Sequence, residues 1–397
     1  MKRINKINYT ALLRCGMLLI TALVSVITLN SFRNAGTGNQ NPPQQIPAVD
    51  QQVNSFMNKY NVPGLSIAIT KDNRLVYARS YGWADKENNE PATNQSLYRL
   101  ASLSKQITSA VIMKLIEEGK LNMKDKVFGP GAILGHDFGT FPYKANIKEI
   151  TINELLHHTC GGWSNDGSKY PDPMFSNPGL HVDELIGWTL DHIPLDNPPG
   201  THYAYSNFGY CVLGRVIEKV TGLPYEKAAK QLILHPCGIT DMQIGGNGLQ
   251  HRRPNEVRYY GQNGEDPYNM NISRLDSHGG WIATATDLAR FMCHMNGSPD
   301  DILSSSSIQL MNTGSPANPK YACGWTINGP NTWHTGSLPG TQTEQAIIKQ
   351  KGNFTFVILT NTRTNEVGFQ RDMDRIFWNA LNQDPEWPDV DLFNTKE

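Results

Sequence analysis

The stretch Leu100-Ala101-Ser102-Leu103-Ser104-Lys105-Gln106-Ile107 sets a serine three residues ahead of a lysine, at the head of an apolar-periodic segment. From Ser104 to Glu118 apolar residues recur at Ile107, Val111, Leu115 and Ile116, and Gly119 follows, so the spacing predicts a helix with a glycine terminator. Ser102 falls at or just inside its start. Positions three apart share a helix face, so the Ser102 hydroxyl and the Lys105 amine can meet. That pairing has a chemical use. A serine hydroxyl is a poor nucleophile near neutral pH and needs a base within hydrogen-bond reach. A protonated lysine cannot be that base, but burial and the positive end of a helix both favour the neutral amine. Lys105 has Leu100, Leu103 and Ile107 around it in sequence, which fits such a setting. A surface helix start with a solvated lysine is the plainer reading of the tetrapeptide alone, so other residues must decide.

Elsewhere the chain has no GxSxG elbow, no HExxH pair, no P-loop and no GxGxxG, and Ser102 to Lys105 is its only SxxK. Two further elements follow it in order: Tyr205-Ser206-Asn207, and His334-Thr335-Gly336 near a late strand. Taken singly, each has a plain reading. Tyr205 sits among Tyr203, Phe208 and Tyr210 and suits a packed core, Asn207 suits a helix cap, and His334 beside Trp333 suits an edge strand.

Taken together, SxxK, YxN and HTG resemble the serine β-lactamase and DD-peptidase superfamily. The likeness is greatest to its class C-like branch of D-alanyl-D-alanine peptidases, D-amino-acid peptidases and family VIII carboxylesterases. Leu155-Leu156-His157-His158-Thr159-Cys160-Gly161-Gly162, Gly279 to Thr284 and Asp287 to Phe291 carry the same likeness, which runs from about Val49 to Leu381. It implies an α+β, β-lactamase/transpeptidase-like fold: an antiparallel sheet flanked by helices, with an inserted all-helical subdomain. It further implies that Ser102 is acylated and that Lys105 and Tyr205 share the acid and base roles. Asn207 would then bind the acyl-side amide and steady Lys105. Backbone N–H groups of Ser102 and Ser337 would form the oxyanion hole, a role indifferent to their side chains. His334, Thr335 and Gly336 would line the substrate site, with His334 bonded to the Tyr205 side or to a substrate carboxylate.

The pattern along the chain agrees with that architecture. A polar helix from Asp50 to Tyr60 precedes a hairpin, Leu65 to Thr70 and Leu75 to Tyr81. Helical patterns joined by Pro- and Gly-rich loops fill about Lys120 to Arg274, covering Ile152 to His158, Val182 to Asp191, Phe208 to Val220 and Tyr225 to His235. Strand patterns return from Trp281, at Tyr321 to Ile327, Gln345 to Lys349 and Phe354 to Thr360, before a last helix from about Glu366 to Leu381. Strands at both ends suggest one sheet closed by the N- and C-terminal segments. Ser304 to Ser307 reads as a helix cap.

The N-terminus is different in kind. Lys2, Arg3, Lys6 and Arg14 precede an apolar run from Cys15 to Leu29, and no acid appears before Asp50. Residues 1–33 read as a signal peptide or an uncleaved signal anchor, giving an exported catalytic part, periplasmic, extracellular or held at a membrane; a mitochondrial presequence is the alternative. Residues 34–48 read as a polar linker, 49–385 as the catalytic domain and 386–397 as a tail.

With 39% hydrophobic and 18% charged residues and a formal net charge of -1, the chain is that of a folded enzyme with no electrostatic call for nucleic acid. Beyond Cys15 the cysteines at 160, 211, 237, 293 and 323 match no zinc spacing, and His157 and His158, adjacent on a helix, point about 100° apart and cannot grip one ion together. No metal or cofactor is implied, and the expected partner is a small-molecule or peptide acyl substrate. The long aromatic loop from Gly161 to Pro178 is expected to line its entry.

One departure shifts the emphasis. β-Lactamases of the superfamily usually carry lysine where His334 stands, and histidine is less reliably cationic, so a peptidase or esterase is favoured over a β-lactamase. An acyltransferase using the same acyl-enzyme is one alternative, and a non-catalytic scaffold or filament protein is another.

Overall fold

Residues 64–71 and 74–85 form the hairpin that their alternation predicts, and it lies inside the main sheet rather than at its edge. The computed structural model describes residues 45–166 and 169–394. The proposed leader at 1–33 and nearly all of the linker lie outside the described residues.

Helix α1 (Pro47–Tyr60) leads into β1 (Gly64–Lys71) and β2 (Arg74–Asp85), followed by the short strands β3 (Glu90–Pro91) and β4 (Tyr98–Arg99). Helix α2 (Ser104–Glu117) comes next, then α3 (Val182–His192), α4 (Asn207–Thr221), β5 (Gln243–Ile244), β6 (Trp281–Ala283) and α5 (Ala285–Cys293). The chain closes with β7 (Thr326–Asn328), β8 (Asn331–Leu338), β9 (Thr341–Ile348), β10 (Phe354–Thr360) and α6 (Phe369–Leu381). The main sheet is antiparallel in the order β3-β2-β1-β10-β9-β8-β7, so β1 pairs with β10, Leu65 opposite Thr360. The two ends of the chain therefore close one sheet. Strands β4, β6 and β5 make a second, small sheet.

Both faces of the main sheet are covered, so β1 and β10 are buried along nearly their whole length, including Ser66, Thr70 and Thr355. Ile67, Ile69, Phe356 and Ile358 pack outward with Val49, Val53 and Phe56 of α1 and with Ile376 and Phe377 of α6. Ala68, Val357, Leu359 and Ile347 pack inward with Ile107, Val111 and Leu115 of α2. Helix α2 is buried on nearly every side, from Ser104 through Met113, and this is the condition that a lysine in its first turn needs to lose its charge. Its end is the predicted one: Gly119 takes φ 67°, a region that costs glycine little.

Several boundaries differ from the sequence reading. Ser102 lies in a one-turn 3-10 segment, Ala101–Leu103, that feeds α2, so it stands on the shoulder of the helix rather than in it. Ala101 has φ 50°, a left-handed turn before the serine. The run Tyr321 to Ile327 is not one strand. Gly324 turns the chain at φ 77°, leaving Tyr321 joined to Thr326 by a single bridge, and only Thr326–Asn328 is strand. The helix expected from Phe208 begins at Asn207 and is capped by Ser206, whose Oγ accepts from Gly209 N at 3.0 Å. Ser304 caps the helix Ser305–Met311, as its serine run suggested. The cysteines at 160, 211, 237, 293 and 323 are all buried and unbridged.

Candidate active site

Lys105 is fully buried, and its Nζ lies 3.2 Å from Ser102 Oγ, 2.7 Å from Asn207 Oδ1 and 3.0 Å from the His278 carbonyl oxygen. Three separate segments thus converge on one amine. Helix α2 supplies Lys105, the N-terminus of α4 supplies Asn207, and the turn before β6 supplies the carbonyl. Because Ser206 takes the capping role, the Asn207 side chain is left free to face the lysine. The turn before β6 is fastened to the start of α2: Leu100 N donates to the Trp281 carbonyl at 2.8 Å, and Thr108 Oγ1 donates to that of Ser277.

Burial pushes the Lys105 ammonium down to about 7, and a carboxylate, Asp172, partly opposes it. Asp172 lies in the aromatic loop expected at the mouth. Its Oδ2 accepts from Asn207 Nδ2 at 2.8 Å and its Oδ1 from Met174 N at 2.9 Å. Arg274 tethers the rest of that loop by donating to the carbonyls of Met174, Asn177 and Leu180. Asn165, in the same loop, accepts from Asn207 N at 3.0 Å. The loop is therefore built into the site through Asn207.

The face of the Tyr205 ring lies 4.9 Å from Lys105 Nζ, and Tyr210 presents its ring at 5.8 Å. The Tyr205 hydroxyl is buried without a hydrogen bond of ordinary geometry, although the Ser102 and Tyr321 hydroxyls are its polar neighbours. Burial pushes this phenol well above its usual range. His158, in a left-handed turn at φ 57°, slides its ring against Tyr205 with centroids 4.2 Å apart.

His334 is also brought to the site, 6.1 Å from Tyr205 between ring centroids, but its partners differ from those expected. Its Nε2 meets Tyr321 Oη at 3.1 Å and its Nδ1 meets the Thr335 carbonyl at 2.6 Å. Burial, aided by the nearby lysine, pushes the imidazole down to about 4, so it is neutral near pH 7. A neutral imidazole with both nitrogens engaged is a weaker anchor for a substrate carboxylate than a cation would be.

Thr335, Gly336 and Ser337 follow along β8. Strand β7 pairs only with Asn331 to Trp333, so from His334 onward the outer edge of β8 has no strand partner among the described residues. A side chain at Gly336 would collide with the Leu100 carbonyl and crowd Ala101, so glycine lets β8 lie directly against the Ser102 turn. Ser337 is exposed, and Arg363 Nη1 donates to its Oγ at 3.0 Å while Arg363 Nη2 pairs with Glu265 at 2.5 Å. Asp172, Tyr321 and Arg363 were not singled out from sequence. Tyr321 lay within a run read as strand, and Arg363 follows β10 with no motif around it.

Among the described residues no group of His, Cys, Asp and Glu is arranged to hold a metal ion, and no helix is long and apolar enough to cross a membrane.

Known proteins resemble this chain over its folded part. A protein of Escherichia coli K12, provisionally named a D-alanyl-D-alanine carboxypeptidase, is 28% identical over 89% of this chain and 89% of its own. The octameric penicillin-binding protein homologue from Pyrococcus abyssi superposes with TM-score 0.68 at 23% identity, over 86% of this chain and 78% of its own. The D-amino acid amidase from Ochrobactrum anthropi SV3 gives TM-score 0.69 at 21% identity, over 85% of this chain and 98% of its own. The beta-lactamase family model matches residues 49–377, a span that holds the serine, the lysine and the strand beside them, and the chain belongs to that family.

Proposed function

We propose that this protein is a serine hydrolase that opens an amide or ester carbonyl through an acyl-enzyme on Ser102. The observation that carries the reading is the buried Lys105 amine, lowered to about 7 and 3.2 Å from Ser102 Oγ. Ser102 Oγ attacks the carbonyl carbon as its proton passes to Lys105 Nζ, and the oxyanion forms against the backbone N–H groups of Ser102 and Ser337. Collapse breaks the bond to the leaving amine or alcohol, which takes a proton delivered through Tyr205. Water then attacks the ester carbonyl, its proton goes to the same base, and the acid leaves with Ser102 restored.

A D-alanyl-D-alanine carboxypeptidase-like activity or a carboxylesterase activity fits best, and the named relatives support the amide side. A carboxypeptidase must bind a terminal carboxylate. With His334 neutral, Arg363 beside Ser337 is the cation suited to that task. The basic and apolar N-terminal segment supports an exported catalytic part.

Intact-mass spectrometry after incubation with a fluorophosphonate and, separately, a penicillin tests the reading, with peptide mapping of any adduct. A fluorophosphonate adduct on Ser102 is expected. A long-lived penicillin adduct would favour the peptidase form, and no adduct from either reagent would overturn the hydrolase reading in favour of a scaffold.

A further inference from the structure

We infer that Tyr321 is a positioning residue for this reaction: it holds His334 as the Nδ1–H tautomer and so leaves the Tyr205 proton free to serve Ser102. The inference rests on the hydrolase reading above. It comes from the direction in which the hydrogen bonds behind the site must run.

The Ser206 N–H donates to His158 Nδ1 at 3.0 Å, so the neutral His158 ring carries its proton on Nε2. That Nε2–H points at Tyr321 Oη, 3.1 Å away, and makes the phenol oxygen an acceptor. The Tyr321 hydroxyl is left to donate, and the imidazole nitrogen it faces is His334 Nε2, at 3.1 Å. His334 must then hold its own proton on Nδ1, where the Thr335 carbonyl accepts it at 2.6 Å. Two backbone groups, one at each end, fix the polarity of the whole chain. Burial drives both imidazoles toward the neutral form, in which a ring has one donor and one acceptor and this order is the consistent one.

The consequence concerns Tyr205, whose hydroxyl makes no ordinary hydrogen bond and has Ser102 and Tyr321 for polar neighbours. A buried acceptor without a donor competes for any proton in reach. With its oxygen accepting from His158 Nε2–H and its proton turned to His334 Nε2, the Tyr321 hydroxyl leaves the Tyr205 O–H to Ser102. His158 is 163 residues from Tyr321 in the chain, and His334 follows 13 residues after it.

The test has two arms. Nitrogen-15 NMR of the wild-type protein, with histidine labelled and resonances assigned by replacing single histidines, is expected to find His334 neutral and protonated on Nδ1, and His158 neutral and protonated on Nε2. This arm needs no activity and no Tyr321 variant. The second arm measures the rate of fluorophosphonate labelling of Ser102 in Tyr321→Phe, Tyr205→Phe and the double variant, each checked for folding by circular dichroism. Loss of the Tyr321 hydroxyl is expected to slow labelling about ten- to a hundredfold in the wild-type background and less than about threefold in the Tyr205→Phe background, because two residues acting as a unit are not additive. Equal losses in both backgrounds, or His334 found as an imidazolium or as the Nε2–H tautomer, would overturn the inference. A wild-type protein that the reagent never labels would instead sink the hydrolase reading, with the NMR arm still deciding the tautomers.

Discussion

Replacing Asp172 by asparagine should move the acid limb of activity to lower pH. Lys105 acts as a base only when neutral, so activity rises through its ionisation at about 7. The burial that lowers it would be unchanged by the substitution. The opposing contribution would be lost, because the Asp172 carboxylate favours the ammonium form. The carboxylate is one amide away: Lys105 Nζ bonds to Asn207 Oδ1 at 2.7 Å, and Asn207 Nδ2 bonds to Asp172 at 2.8 Å. Unit charges roughly 7 Å apart at an effective dielectric of about 20 attract by about 2 kcal/mol. Since one pH unit corresponds to about 1.4 kcal/mol, the limb should fall by about one to one and a half pH units. The rate of fluorophosphonate labelling, followed by intact mass from about pH 5 to 9, reads the free enzyme directly. The sign is decisive. A limb that stays in place or moves upward would refute the assignment of Lys105 as the titrating base. A lowered plateau with a correctly shifted limb would report only the lost acceptor for Asn207 Nδ2, because an amide that keeps Met174 N turns a donor toward it.

Four other outcomes are expected. Ser102→Ala should abolish labelling and turnover with folding retained, and Lys105→Ala should cost nearly as much because the two act together; substantial turnover in either variant refutes the mechanism. Tyr205→Phe should lower kcat by about 10²- to 10⁴-fold, the usual worth of a positioned acid or base, as steady-state kinetics can establish. Arg363→Ala should raise KM for a substrate ending in a carboxylate and leave a neutral ester unchanged, and equal effects on both would remove Arg363 from the substrate site. Gly336→Ala should lose most activity and lower Tm as well, since its side chain would push β8 from the Leu100 carbonyl and from Thr343; an unchanged Tm with full activity would refute the close contact.

How much of this could be read from sequence depended on the range of each interaction. Ser102 and Lys105 are joined by helical spacing, which composition and periodicity reveal, and the YxN and HTG triplets are local patterns. The α2 terminator was legible for the same reason, as glycine carries its conformational freedom wherever it stands. Tyr321 was obscured because its run alternates like a strand, while Gly324 bends the chain out of register. Asp172 lies in a loop without periodicity, and its role exists only once Asn207 is folded against it. His334 illustrates a limit of another kind: the sequence marks it only as less reliably cationic than lysine, because its charge follows from burial and from a lysine distant in sequence.

The burial that neutralises Lys105 also bears on how it and Tyr205 divide the work. Desolvation penalises the charged form of each, so it lowers the amine and raises the phenol together. Above about pH 7 the resting pair is then an amine and a phenol rather than an ammonium and a phenolate. Of the two, only the amine can accept a proton from Ser102, which in the proposed reaction would make Lys105 the base of acylation and Tyr205 the conduit to the leaving group. The ammonium formed in that step is a charge buried deep in the pocket, and the groups around it suit a cation. Asn207 Oδ1 and the His278 carbonyl accept from it, two aromatic faces lie within 6 Å, and Asp172 stands behind the amide. Neutral imidazoles at His158 and His334 add no competing positive charge. A lysine in the place of His334 would do so, lowering Lys105 further and weakening it as a base. His334→Lys should therefore improve the binding of a penicillin carboxylate while slowing the acylation of a neutral ester, a trade that inhibition and ester kinetics on the same variant can measure. Faster acylation of both substrates would refute the division of roles.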